Sequence, residues 1–365
     1  MTIRDLKVGS RFGHPRHGAG TVTFIGSEYL GVAFDDHGDV LLRIATLAEA
    51  GSAPVGPLPA KPAAQRAQPW PDSTFVAEPS DAEHSMGSHW RPFVDDAADI
   101  LRRLPEIVPR ALVPASATTS ADPPRPTPGD WPRGAELVWP WLERGLAVIL
   151  RFEEEANRVV TLFPFFRGCG RHRLRLHQVR VWASALEAQI TAGWGDGMVT
   201  FFDNGFVTGR AWYEAGRAYD FALAGVAYEA GPAERRELAV ERHPDEVAWL
   251  NRRLEPGEAP HEASVTIVLD GMAMFLPVDE WDVDDYQFRA PVKSVVPFER
   301  WLGQDGWRVS ATVMRFGEQD ADLDILITRR AWTGTEPPQV GQDIEGRLWL
   351  QGRLTSPGPI DEPHD

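Results

Sequence analysis

The feature that most constrains the fold is a repeat inside the chain. Residues 209–228, GRAWYEAGRAYDFALAGVAY, return in degenerate form at residues 329–354, RRAWTGTEPPQVGQDIEGRLWLQGRL. Both copies carry Arg-Ala-Trp, a turn, a Gly and then an alternating run. Counted from Gly216 and from Gly341, Tyr219 matches Ile344 and Leu223 matches Leu348. The same strand face is therefore written twice, with a period of two.

Composition agrees with a modular β-rich protein. The 14 Trp, 17 Phe, 33 Gly and 31 Pro of the 365 residues suit short strands and many turns better than a helical bundle. The expected class is mainly β, α+β overall: a small N-terminal barrel, then tandem OB-like β-barrels with a few helices. A formal net charge of −16 repels phosphate, so any nucleic-acid contact needs a local basic patch. One Cys excludes an intramolecular disulfide framework. With no signal segment and no long apolar run, the reading is a soluble cytoplasmic chain with no membrane partner.

Residues 6–47 alternate in short runs (11–12, 21–25, 29–34 and 40–44) separated by Gly-rich or Asp-Gly turns, the pattern of a small five-stranded barrel. The string V-G-x-R-F-x-H-P-x-H-G-x-G-T-V, followed by V-x-F-D and a closing pair of leucines, resembles the Tudor or SH3-like module at the tail of UvrD-like helicases. More loosely it resembles the polymerase-binding domain of CarD-like regulators. The resemblance covers residues 1–48 and implies a docking surface, often for RNA polymerase, with His14, Arg16, His17 and Phe34 as its contacts. The alternative for the two histidines is an ordinary turn between strands, with Gly18 and Gly20 allowing tight geometry. No G-x-x-x-x-G-K-[ST] phosphate loop follows, and no cofactor is expected.

Beyond the module, residues 49–72 are rich in Pro and Ala and read as a semi-rigid linker. Residues 73–134 read as a helical and loop segment, with a helix over 94–104 that stops before Pro105. A first β unit is expected over 135–231, a charged helical connector broken by Pro244 over 232–262, a second β unit over 263–354, and a tail over 355–365. Strands are expected at 146–152, 159–166, 172–182, 186–191, 198–202, 207–212 and 217–227. The second unit repeats the order at 265–269, 273–276, 286–296, 307–316, 323–330 and 343–354. In the long strand 172–182, Leu174 and Leu176 share a face, and beyond Gln178 the apolar role passes to Val179 and Val181. Such a change of face requires a bulge or bend, and Pro291 occupies the equivalent place in the second unit.

Chemistry concentrates in residues 167–180, RGCGRHRLRLHQVR, with five Arg and two His. Arg171, Arg173, Arg175, His177 and Arg180, with Trp182, Phe202 and Trp212 as stacking aromatics, form a binding strand for single-stranded nucleic acid. The competing reading is an intramolecular or protein-facing patch, with Asp220 and Glu229 as ion-pair partners. Asp81, His84 and His89 would serve a metal-dependent hydrolase, but their spacing fits no zinc pattern, and the alternative is loop histidines buried beneath Trp90 and Phe93. The acidic run 279–285 has oxygen ligands but not the Gly and terminal Glu of a calcium loop. Cys169 reads as an incidental thiol, and Trp212 and Trp332 read as core locks at strand ends. These observations lead to a non-catalytic adaptor that recruits a protein partner, with direct nucleic-acid binding as the alternative.

Overall fold

The computed structural model describes residues 6–14, 16–44, 47, 53–54, 75–77, 88–114, 132–195, 197–214, 216–254, 259–279, 281–317 and 319–356. The protein is mainly β. In chain order come β1 (Arg11–His14), β2 (Gly18–Ile25), β3 (Tyr29–Phe34), β4 (Gly38–Arg43), β5 (Ala53–Pro54) and β6 (Phe75–Ala77). Helix α1 (Ala98–Ile107) precedes β7 (Gly134–Pro140), β8 (Arg144–Phe152), β9 (Asn157–Phe166), β10 (Arg171–Val181), β11 (Ala188–Trp194) and β12 (Gly197–Asp203). Then follow α2 (Phe206–Gly209), β13 (Ala218–Pro232), β14 (Glu237–Glu241), α3 (Pro244–Asn251) and β15 (Ser264–Val268). The chain closes with β16 (Met274–Pro277), β17 (Asp285–Trp301), β18 (Gln304–Phe316), β19 (Gln319–Thr328) and β20 (Asp343–Leu354).

Two compact units emerge, and neither is a simple stretch of sequence. Unit 1 combines residues 1–68 with 235–269, and unit 2 holds 69–234 and 270–365. In unit 1, β1 to β5 form one antiparallel sheet in the order β4-β3-β2-β1-β5 around Phe12, Val22, Leu30, Val32 and Phe34. The segment expected as a helical connector is corrected: β14 and β15 pair with each other, and α3 begins at Pro244 instead of breaking there. Proline at the first helical position gives up an N–H that has no intrahelical partner anyway, and the His243 side chain accepts from Asp245 N. The expected strand 265–269 thus belongs to this hairpin and not to the second β unit. Helix α3 is tied to β3 and its preceding turn. The Asp245 carboxylate accepts from Ser27 Oγ and Glu28 N, both at 2.8 Å. A Cβ at Gly31 would come to 2.5 Å from Trp249 Nε1, so only glycine lets the indole lie that close.

In unit 2 the duplication takes a form the repeat alone does not disclose. The order β10-β11-β12-β20-β13 closes on itself through the β10–β13 pairing, and β17-β18-β19-β13-β20 closes through β17–β20. There are two five-stranded rings, but they share β13 and β20. The expectation of tandem barrels is therefore corrected: the two β runs form one sheet system with one apolar cluster running from Leu174 and Trp212 to Trp332 and Leu354. The reason lies in strand length. With 15 and 12 residues, β13 and β20 are long enough to pair with each other along 11 positions and still lend their other edges to each ring. The meander β7-β8-β9 lies outside the duplication and packs through Val138, Ile149 and Phe163 against Phe202 and Trp349.

Local readings fare unevenly. The predicted bulge falls where the face changes, between Leu176 and Gln178, and β17 has its own between Val292 and Ser294, just past Pro291. Residues 207–212, expected as a strand, instead form α2 and a single turn over Arg210–Trp212. Asp203 Oδ1 accepts Gly205 N at 2.9 Å, ending β12 and turning the chain into that helix. Helix α1 runs through Pro105, because Ile100 and Ile107 both anchor in the same apolar cluster.

Candidate functional site

The docking residues read from the first 48 positions converge. They sit at the β1–β2 turn and the end of β3, where His14 and His17 stack with ring centroids 4.9 Å apart. His17 lies 5.3 Å from Phe34 and 5.9 Å from His37, which the sequence reading missed because it follows an Asp-Asp turn with no periodic signal. Arg16 is exposed beside them, and its backbone N–H donates to His14 Nδ1 at 3.2 Å. Desolvation, reinforced by His17 and Arg16, holds the His14 imidazole below its ordinary pKa. The result is a shelf of three imidazoles over a buried phenyl ring, with a guanidinium at its edge. Such a shelf stacks on planar or apolar groups and donates or accepts hydrogen bonds.

The basic strand keeps its expected parity. Leu174, Leu176, Val179 and Val181 are buried, while Arg171, Arg173 and Arg180 are exposed. Several of these groups have intramolecular partners: Arg173 faces Asp220 at 3.8 Å, and Arg175 Nη1 donates to Gly216 O at 3.1 Å. His177 is the extra residue of the β10 bulge. Of the proposed stacking aromatics, Trp182 is half-buried and lies on Phe202 at 5.6 Å. Phe202 and Trp212 are corrected: both are buried in apolar clusters and offer no ring face to a base. Trp332 is buried in the same cluster as Trp212, as the strand-end reading expects.

His89 proves to be a buried polar residue. Its Nδ1 lies 2.5 Å from Tyr228 Oη, and Tyr228 in turn donates to Asp285 Oδ1 at 2.6 Å. Its ring stacks on Trp349 at 3.9 Å, and Trp349 Nε1 donates to Asp284 Oδ2 at 3.1 Å. Burial, with help from Asp284 and Asp282, lifts the Asp285 carboxyl to about 7, against the pull of the Tyr228 hydrogen bond. The structure thus joins His89 to the acidic run 279–285, two features with no proximity in sequence. What joins them is Tyr228, the residue left over where β13 skips one position against β20 between Ala227 and Glu229. Asp81 and His84 lie outside the described residues. Among the described residues no group of three or more His, Cys, Asp and Glu could hold a metal ion. Cys169 is exposed, with Arg308 Nη1 at 3.2 Å from its sulfur. Among the described residues no helix is long and apolar enough to cross a membrane.

No family model, no curated protein and no solved structure matches the chain.

Proposed function

We propose that this protein is a non-catalytic adaptor, in which unit 1 docks a macromolecular partner and the fused rings of unit 2 bind a second one. The observation that carries this reading is the gathering of His14, His17, Phe34 and His37 around one turn. Aromatic and imidazole surfaces with an adjacent Arg are the groups that dominate protein–protein contacts. Reading the N-terminal sheet as Tudor or SH3-like, and each five-strand ring as OB-like, belongs to this proposal. The resemblance of residues 1–48 makes RNA polymerase the first partner to try. Immobilised full-length protein is expected to retain purified RNA polymerase, and His14→Ala with His17→Ala to lose at least about tenfold in affinity. No retention by the wild type, or full retention by the double variant, would remove this reading of unit 1.

A second reading rests on Arg171, Arg173 and Arg180, three exposed guanidiniums on one strand. It makes β10 a track for single-stranded nucleic acid. Fluorescence anisotropy at low salt is the test: binding should weaken steeply with salt and vanish in Arg173→Glu with Arg175→Glu. If the wild type binds no oligonucleotide at low salt, this second reading fails.

A further inference from the structure

We propose that His89, Tyr228 and Asp285 form a proton-responsive latch in unit 2, which holds the turn 281–284 against Tyr228 while Asp285 is neutral and releases it when Asp285 is charged. Its parts come from separate places: His89 from the short turn Ser88–Trp90, Tyr228 from the bulge of β13, and Asp285 from the start of β17. Trp281, 41% exposed, marks the rim. Its ring meets that of Tyr228 at 5.7 Å between centroids and carries Arg347 Cζ at 5.1 Å.

The Tyr228 hydroxyl owns one proton and has two partners, His89 Nδ1 at 2.5 Å and Asp285 Oδ1 at 2.6 Å. A charged Asp285 can only accept, so it takes the Tyr228 proton, and His89 must then present Nδ1–H to the Tyr228 oxygen. A neutral Asp285 can donate instead. That frees the Tyr228 proton for a bare Nδ1 and leaves the imidazole proton on Nε2. One proton at Asp285 thus sets the tautomer of a ring that stacks on Trp349 at 3.9 Å.

Charge decides which state of the turn goes with which proton. Burial raises the Asp285 carboxyl to about 7, Asp284 and Asp282 add to the rise, and the Tyr228 hydrogen bond offsets part of it. From the other elements packed against it come Tyr228 and His89, while Arg347 of β20 lies on Trp281 and stands opposite Glu229 of β13. Phe163 and Phe202, the rings on Trp349, bring no charge. The turn itself is held by backbone bonds, Asp285 N to Asp282 O and Leu350 N to Asp284 O, both at 2.9 Å. Trp349 Nε1 adds a bond to Asp284 Oδ2 at 3.1 Å. A turn swung out into water returns the Asp285 carboxyl toward 3.8, so opening releases a proton. The open-to-closed ratio should therefore rise about tenfold per pH unit from about pH 4 to about 7 and level off above that.

The test is amide hydrogen exchange of the full chain across this pH range, which reads local opening even when the open form is rare. With the intrinsic pH dependence of exchange removed, protection of the Asp285 and Leu350 amides should fall about tenfold per unit relative to the amides of β19, then hold constant above about pH 7. Asp285→Asn keeps an acceptor for Tyr228 but cannot ionise, so its relative protection should be flat. Where that variant melts early, Tyr228→Phe takes its place: it removes a bond to the charged acid and should move the break above about pH 7. In the wild type, nitrogen shifts of the His89 ring should show Nε2–H giving way to Nδ1–H around pH 7. The inference is overturned if the two wild-type amides follow those of β19, if folded Asp285→Asn keeps the slope, if Tyr228→Phe leaves the break in place, or if the His89 tautomer ignores pH.

Discussion

Residues 171–232 and 285–354 are two copies of one plan, and setting them side by side separates what the duplication conserves from what it leaves free. Each copy runs a long strand, two returning strands, an Arg-Ala-Trp turn and a closing strand. Gly216 and Gly341 occupy the same left-handed turn, at φ 75° and 81°. The register is shared as well: Arg175 opposite Ala218 in the first copy corresponds to Pro291 opposite Asp343 in the second. Beyond each pair comes a bulge whose extra residue is His177 or Lys293. At Gly225 opposite Leu350 the plan maps onto itself, so the axis relating the copies passes through the β13–β20 pair. Polar positions follow no such rule. Phe202, opposite Gln351, matches Leu326, opposite Val226, and the next residues are Asp203 and Ile327. Arg210 is buried and donates to Ala185 O and Pro132 O, both at 2.8 Å, whereas Arg330 pairs with Asp95 in partial exposure. Shared geometry builds the core, and the polar groups are where the two copies diverge.

The hardest blow to this comparison comes from the two tryptophans. Trp212→Ala and Trp332→Ala should each cost about 3–5 kcal/mol, the usual range for emptying a buried indole site. Because both rings belong to one apolar cluster, either variant should lower a single denaturant transition of unit 2 with an unchanged slope. Unfolding of one ring while the other persists, seen as a second transition, would mean that the shared strands do not couple the copies.

Next in size is a pH effect at a matched position where the first copy has an acid, Asp203, and the second has Ile327. The Asp203 carboxyl rises from 3.8 to about 6 because burial disfavours its charge. A carboxyl raised on folding holds its proton longer in the native state. The associated stability is thus fully present below about pH 4 and is lost as pH climbs through about 6. Two units at 1.36 kcal/mol each set the scale at about 3 kcal/mol. Asp203→Asn should remove this decline, so the wild type minus variant difference should shrink steadily between pH 4 and 6. Ile327 at the matching place contributes nothing. A difference that is flat with pH would show that Asp203 titrates normally.

What could be read from the residues follows the same division. Apolar alternation in β10 and the Pro291 position located both bulges, because a change of face is a local property of a strand. The matched glycines and leucines marked equivalent positions in β13 and β20, but they did not announce that the two strands pair with each other. That the rings share strands was not legible, since parallel pairs such as Phe202 with Gln351 and Gly225 with Ile325 join residues far apart in sequence. Unit 1 taught the same lesson through residues 235–269, where helical spacing in charged residues concealed a β hairpin. His89 was legible as a buried loop histidine, but its partner Tyr228 is aimed by a bulge that no pattern announces.

Tyr228 gives a smaller and more local way to distinguish the copies. By the repeat spacing it matches Arg353, and each reaches a buried carboxylate beyond its own strand: Asp285 for Tyr228, Glu136 for Arg353. Tyr228→Phe keeps the ring and removes both hydrogen bonds of the hydroxyl, a loss of about 1–2 kcal/mol. Without that donor the Asp285 carboxyl should move above about 7, which infrared titration of carboxyl bands would register. An unmoved band would mean that Tyr228 does not stabilise the charged form.

The mildest effect belongs to the bulge residues. Lys293 reaches two carboxylates of β19, Asp320 Oδ2 at 2.8 Å and Asp322 Oδ1 at 2.7 Å, and these hold its ammonium above the ordinary pKa against some desolvation. The side chain is 42% exposed, so water screens most of that attraction. Exposed pairs of this kind contribute about 0–1 kcal/mol. Lys293→Met should therefore lose less than about 1 kcal/mol in low salt, and the loss should fade toward 1 M salt, where charges are screened within about 3 Å. A penalty that persists at high salt would identify the lysine's alkyl stem, packed along the bulge, as what stabilises this edge, and would make the second bulge a packing device where the ion pairs now define it.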